Sequence, residues 1–474
     1  MLGRNKKKKN NSSSAGVEVL PQVEFKPKVA DKQAVQGILI ACRGIEQYEA
    51  TNALIARALL IRADQVMLDF SQQGVAIRLR VDGLWEGLAP MDRPTGDGVL
   101  VILKKLCSLN PADRRSRQVG KLPVAMKGND WIIDFTSQGI PTGERVLMRI
   151  EPKKQVLNNL TDLGMREKMQ QQLRDLLNAE QAMFVFSGVG GHALPTMWRV
   201  GLESADRFVR DFHSVEDVSL GDPELINIGR HTFDSAAGET PATVLKSLLL
   251  KQPDVLIFPD LFSPEIAQQI CGEVLEEKRY AITRVVAGSS IEALIKLMAT
   301  YPASAKSLVK ICSGVINLRL VRRLCPDCRQ AFQPTPQLLQ KLGLPAGRVH
   351  TLYQPYIPPP PEQRVDAQGK PLEIEICKRC DGRGYYGRVG IFELLKMNDD
   401  IRQALLKNPA VSSVLPVARK SGFLTLQEEG VLAVAQGLTS LQELQRVLAP
   451  PKAAAKPAAA KPAAAPPNNP PTKR

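Results

Sequence analysis

The chain is expected to fold as an α/β protein built on a largely parallel sheet, and three observations predict this. Short apolar runs, AMFVFSG at 182–188, DVLIFPD at 254–260 and YAITRVVAG at 280–288, alternate with helical patterns such as SPEIAQQICGEVLEE. The first run opens into a glycine-rich turn, Gly188 to Thr196, followed by a helical stretch. Two CxxC pairs, Cys325/Cys328 and Cys377/Cys380, lie downstream. Strands covered on both faces read as continuous apolar runs, and an intervening helix returns each strand parallel to the last.

With 474 residues, 44% of them hydrophobic, the chain is long enough for about three domains with tails. Residues 1–30 form a basic, Ser/Asn/Lys-rich N-terminus that buries too little surface to offset ordering, so disorder is expected. Residues 31–153 read as an α+β module, with a helical pattern from residue 33 to about 60 and then alternating runs VMLDF, VAIRLRVDG and DWIIDF. Residues 154–320 form the α/β domain, beginning with the helix MREKMQQQLRDLLN. From 321 to 392 the composition turns to Cys, Pro and Gly, with Pro358 to Pro361 in the middle. Residues 393–449 read as helical, punctuated by Gly422, Gly430 and Gly437, and 450–474 as a disordered Ala/Pro/Lys tail.

The net charge of +15 is carried in part by Lys6 to Lys9 and by the tail, which places it largely on solvated arms. A basic arm touching anionic lipid or nucleic acid is the sharper alternative. With 5% aromatic residues and no basic–aromatic interleaving, a specific nucleic-acid partner is not expected. No run reaches about 18 apolar residues, so no membrane-spanning helix is expected, and the N-terminus lacks the apolar stretch of a secretory signal. The expected location is cytoplasmic. Cys42, Cys107, Cys271 and Cys312 stand alone and read as small core residues.

The glycine-rich turn is close to a phosphate loop, G-x-x-x-x-G-K-[ST], in which backbone N–H groups approach phosphate, a lysine neutralises it and a hydroxyl serves magnesium. Gly188 holds the first position, but Ala193, Leu194 and Pro195 stand where the second glycine, the lysine and the hydroxyl belong. Replacing the lysine by Leu194 removes a charge-assisted contact of roughly 1.5–3 kcal/mol. Thr196 falls one residue late. Gly188, Gly190, Gly191 and Thr196 are therefore the candidate nucleotide contacts of a degenerate loop, with a purely structural turn as the competing reading. His192 reads as a polar surface residue.

Taken in order along residues 33–448, the chain resembles the ATPases of type II secretion and type IV pilus assembly. The matching stretches include Arg78 to Gly83, Gly143 to Arg149, Val215 to Asp217, Leu249 to Val255, Arg319 to Cys328 and Cys377 to Arg388. The resemblance implies a RecA-like P-loop NTPase core, ATP and magnesium as ligands, and a hexameric ring with nucleotide between subunits. It implies membrane-associated secretion or pilus platform proteins as partners, at the cytoplasmic face of the membrane.

The same resemblance assigns the catalytic acids to Glu216, Asp217 and Asp260. Asp260 replaces a glutamate, Phe262 stands where an arginine is expected, and Val286–Ala287 occupy the place of a histidine motif. In the first module Lys121 and Asp134 replace arginines that reach the nucleotide. Phosphoryl transfer rests on positioning and charge neutralisation, and each lost donor costs about 100- to 1,000-fold. The expectation is a vestigial active site in a scaffold or regulatory subunit, alone or in a mixed ring with an active paralogue. The competing readings are an active motor with an unusual loop, nucleotide binding without turnover through the amides of Gly188 to Gly191, and plain hydrogen-bonded acids at strand ends.

Cys325, Cys328, Cys377 and Cys380 have the pair spacing of a tetrathiolate zinc site, and the resemblance places the two distant pairs together. Such a closed site is expected to be structural, pinning the Arg322/Arg323 segment to the loop from Gly382 to Arg388.

Overall fold

The computed structural model describes residues 20–449 except 30, 155–156, 346, 361–362, 365–371 and 373. Of the expected disordered segments, residues 1–19, 30 and 450–474 lie outside the described residues, but residues 20–29 are described and ordered: they include a short strand at Glu24–Phe25, and Val23 and Phe25 are buried, because these two apolar side chains on one face of the segment pack into the core of the first module.

In the first module, β1 (Glu24–Phe25) precedes α1 (Lys32–Arg43) and α2 (Tyr48–Leu60). The continuous helical pattern of the sequence is thus two helices. Asp31 starts α1 by accepting the amides of Gln33 and Ala34, and Gly44 follows its last turn. Next come β2 (Ala63–Phe70), β3 (Val75–Val81), β4 (Leu84–Met91), α3 (Arg93–Leu106), β5 (Gln118–Met126), β6 (Asn129–Ile140) and β7 (Gly143–Pro152). The strands form one antiparallel sheet in the order β1-β5-β6-β7-β2-β3-β4. Alternation along β3 buries Val75, Ile77, Leu79 and Val81, and the helices add Cys42, Ile55, Val99 and Leu103 to that core.

The second module runs α4 (Glu167–Leu177), β8 (Ala182–Gly188), α5 (Leu194–Glu203), β9 (Phe212–Asp217), β10 (Ile228–Phe233), α6 (Pro241–Leu249), β11 (Val255–Phe258), α7 (Pro264–Leu275), β12 (Tyr280–Val286), α8 (Ser290–Thr300) and α9 (Ala305–Ile311). The long strands β13 (Cys312–Leu324) and β16 (Tyr385–Lys396) complete a sheet of order β10-β9-β11-β12-β8-β13-β16. All neighbours are parallel except β13 and β16. Every residue of β8 is buried, with Met183 and Val185 in one core and Phe184 and Phe186 in the other. That is the continuous apolar run expected of a strand with two covered faces.

Between β13 and β16 lie β14 (Gln330–Phe332), α10 (Pro336–Leu342) and β15 (Leu352–Gln354), with a cysteine pair at each end of the excursion. The helices α11 (Asp399–Lys407), α12 (Val411–Lys420), α13 (Leu426–Ala435) and α14 (Leu441–Leu448) follow. The buried carboxylate of Glu393 accepts the first amides of two helices, Ser290 N in α8 and Leu426 N in α13. One acid on β16 therefore satisfies donors that both helix ends would otherwise leave unpaired.

Candidate nucleotide and metal sites

The glycine turn sits at the carboxyl end of β8, where ligands bind in parallel α/β sheets. Gly191 has φ 80° and Ala193 φ 58°, so the chain passes twice through the left-handed region before α5. Leu194 is 7% exposed and belongs to the core formed with Phe186, Trp198 and Leu318. Its Cβ lies 3.5 Å from where a Cβ on Gly188 would stand. The side chain in the lysine position thus packs beneath the turn. Gly190 and Gly191 are exposed, Pro195 points to solvent and Thr196 is half-buried.

His192 departs from the expected surface role. It is half-buried, and its Nδ1 accepts the amide of Leu320 on β13 at 3.0 Å, which ties the turn to the neighbouring strand. Burial, then the positive field of Arg319, Arg388 and Arg446, holds its pKa below the usual imidazole value.

Glu216 and Asp217 end β9, and each is already engaged. Arg230 on β10 pairs with Glu216 at 2.9 Å. Asp217 accepts the amide of Ser219 at 2.8 Å, and its contacts with Ser219 and Ser235 hold its carboxyl at about 2. Asp260 is exposed after β11 and accepts the amide of Phe262 at 3.3 Å. Phe262 adopts φ 56° and packs edge-on against Phe233 with ring centroids 5.0 Å apart.

Asp260, Leu194, Phe262, Val286, Arg284 and Lys296 line a cavity of about 520 Å³ beside the turn. Its cations are engaged elsewhere: Arg284 grips Asp222 through both terminal nitrogens at 3.1 and 2.7 Å, and Lys296 donates to the Val286 carbonyl at 2.9 Å. Lys121 and Asp134, the replacements in the first module, are cross-strand partners 3.5 Å apart. Neither Arg230 nor the Arg284–Asp222 pair was legible in the sequence, because the first acts across neighbouring strands, the second joins β12 to the loop after β9 over 62 residues, and no local pattern marks either.

The four Cys thiols form one cluster, with all ligand atoms within 4.8 Å of one another. Cys325 and Cys377 Sγ are 3.8 Å apart, and Cys328 and Cys380 Sγ 3.5 Å. A tetrahedral ion at about 2.3 Å from each sulfur separates them by about 3.8 Å, so the donor set fits a closed tetrathiolate site. The amide of Gly384 donates to Cys380 Sγ at 3.3 Å, and the Cys325 amide donates to the Gly384 carbonyl at 3.0 Å. The cluster thereby sets the course of the loop entering β16.

That loop docks on the first module. Arg57 pairs with Asp381 at 3.0 Å, Arg383 with Glu86 at 3.0 Å and Arg388 with Asp64 at 3.3 Å. Asp82 accepts both Arg62 and the amide of Gly387 at 3.1 Å, and the Arg62 guanidinium lies 3.6 Å from the Tyr386 ring centre. Behind these contacts is a cleft of about 510 Å³, walled by Trp131, Ile150 and Pro152 on one side and Ala193, Thr196 and Leu320 on the other. The candidate residue Thr196 opens into this cleft.

The fold and the turn together define an α/β protein with a strand–glycine turn–helix unit at the carboxyl end of a parallel sheet and a tetracysteine cluster at its margin. The profile of the Type II/IV secretion system protein family matches residues 45–446, and the chain belongs to that family. The type IV pilus assembly ATPase PilB of Thermus thermophilus is 25% identical over 426 residues, which is 89% of this chain but 45% of that relative. Type II secretion system protein E of Dickeya dadantii is 28% identical over 402 residues, 84% of this chain and 74% of the relative. Among solved structures, the ATPase DotB of Legionella pneumophila superposes with a TM-score of 0.52 at 10% identity, covering 83% of this chain and 93% of that one; this is a likeness of fold. Among the described residues no helix is long and apolar enough to cross a membrane.

Proposed function

We propose that this chain is a catalytically degenerate scaffold or regulatory subunit of a secretion or pilus machine, acting at the cytoplasmic face of a membrane. The observation that carries this reading is Leu194, a hydrocarbon side chain packed into the core where a phosphate loop needs its lysine. The acids support it: Glu216 is neutralised by Arg230, and Asp217 is spent on its own turn. Among the residues lining the cavity beside the turn, Arg284 and Lys296 are bound to protein acceptors. Hydrolysis that depends on preorganised charge has little to work with in such a site.

The retained part is the framework. A structural zinc on the four cysteines holds the loop that fastens the first module, and such a unit suits a partner in a ring, with copies of itself or with an active paralogue. Its other contacts are membrane platform proteins of the machine.

The test is phosphate release from ATP by the tag-free, full-length protein, read beside titration with a fluorescent ATP analogue. The expected result is no release above buffer. Release that Asp260→Ala abolishes overturns the proposal in favour of a working motor.

A further inference from the structure

The cleft between the two modules combines open apolar surface with a carboxylate that has no cation. Trp131, Pro152, Leu157, Leu318 and Leu320 line it. Trp131 is half-buried and Leu157 37% exposed, so part of this apolar lining meets solvent in a cavity of about 510 Å³. Three acids share the cleft, and two are engaged: Asp64 by Arg80 and Arg388, and Asp82 by Arg62. The exposed Asp162 accepts the amides of Asn158 and Asn159 at 2.8 and 3.1 Å, and among the described residues it has no cationic partner.

The last helix delivers the chain to this place. Leu318, Leu320 and Arg322 alternate onto one face of β13. Arg322 is seated on Glu443 of α14, its amide 3.0 Å from one carboxylate oxygen and its guanidinium 2.8 Å from the other. Two residues of strand cover about 7 Å and the helix from Glu443 to Leu448 about 8 Å, so Pro450 stands within about 30 Å of Leu320. From there the sequence reads PPKAAAKPAAAKPAAAPPNNPPTKR, with Lys452, Lys456 and Lys461 spaced among prolines and alanines and no acid. As a polyproline helix, the stretch from Pro450 to Lys461 spans about 37 Å, enough to reach the cleft and lie along it.

The two chemistries are complementary. Proline-rich segments dock in grooves with aromatic walls, as Trp131 provides here, and a lysine supplies the charge that Asp162 lacks. We propose that residues 450–461 dock in the inter-module cleft of the same chain as an extended strap, with prolines against Trp131 and a lysine on Asp162. Such contacts are weak one by one. A short tether holds the segment at a millimolar effective concentration, so an affinity of about 0.1–1 mM suffices to keep it in place for most of the time. The strap covers Ala193 and Thr196 at the start of α5 and screens the glycine turn on that side. This holds whether or not the turn takes a nucleotide.

The test is hydrogen exchange on the full-length protein beside a variant carrying Lys452→Glu, Lys456→Glu and Lys461→Glu, changes that touch no residue of either sheet. Amides of residues 157–163 are expected to exchange about 2- to 10-fold more slowly in the parent, with β8 the same in both. Zero-length carbodiimide coupling of the parent should join Asp162 to one of the three lysines within a single chain, read by mass spectrometry. Equal exchange rates in the two proteins overturn the proposal. So do couplings of these lysines that bypass Asp162, or that form only between chains and so place the segment on a second copy.

Discussion

Arg230 holds the Glu216 carboxylate at 2.9 Å across the β9–β10 ladder, with side chains 24% and 10% exposed. Removing the cation alone strands a largely buried charge, which costs about 1–3 kcal/mol. Arg230→Gln is expected to lower the urea midpoint accordingly, and Arg230→Gln with Glu216→Gln to recover most of the loss. A single variant as stable as the parent would show that the pair does nothing for the fold.

Leu194 gives a sharper contrast. Restoring the lysine of a phosphate loop by Leu194→Lys puts an ammonium at a residue only 7% exposed and is expected to destabilise by on the order of 3 kcal/mol. Leu194→Met keeps shape and polarity and costs less than about 1.5 kcal/mol. Thermal unfolding of the two variants checks the difference. Phosphate release by the Lys variant stays at the background level, because Glu216 and Asp217 remain engaged.

Metal removal is expected to act at a distance. The tetracysteine cluster directs the loop whose Asp381, Gly387 and Arg388 meet Arg57, Asp82 and Asp64. Since ligand-binding free energy in such a site is folding free energy, chelation or Cys377→Ser should raise amide hydrogen exchange from Asp381 to Arg388 and along β3. Exchange in β8 and β12 should hold. An unchanged pattern in metal-free protein would separate the cluster from the docking.

Glu443 supplies a pH dependence. It is 1% exposed, and although burial alone would raise its pKa, the hydrogen bonds from Arg446 and Arg322 outweigh burial and hold it below the usual value. A depressed folded-state pKa contributes stability above the unfolded value, about 4.3, and that contribution is lost as the pH falls through the folded value. Denaturant midpoints taken from about pH 6 down to about pH 3 should fall more steeply for the parent than for Glu443→Gln. Parallel profiles would rule the carboxylate out as a source of acid sensitivity.

Much of the scaffold was legible as pattern. The apolar run 182–188 is a strand with both faces covered, and the isolated Cys42, Cys107, Cys271 and Cys312 are buried. Other parts were not. The helical pattern up to residue 60 hid a break after Arg43, and strands β4, β5 and β10, weaker in alternation, went unread. His192 read as a surface group because its partner, the amide of Leu320, is a backbone atom 128 residues away.

The amino-acid sequence by itself determined the alternation of strands and helices around β8, β11 and β12, the cysteine spacing and the loss of the lysine, since each is written in local composition or in the identity of a single residue. Tertiary structure decided what those residues face: Leu194 turned into a core, Arg230 set against Glu216, and Asp82 joined to Gly387. The physical reason is range. Backbone propensity and hydrophobic period act over a few neighbours, whereas ion pairing and coordination depend on which strands lie side by side, and that is settled only when the sheets assemble.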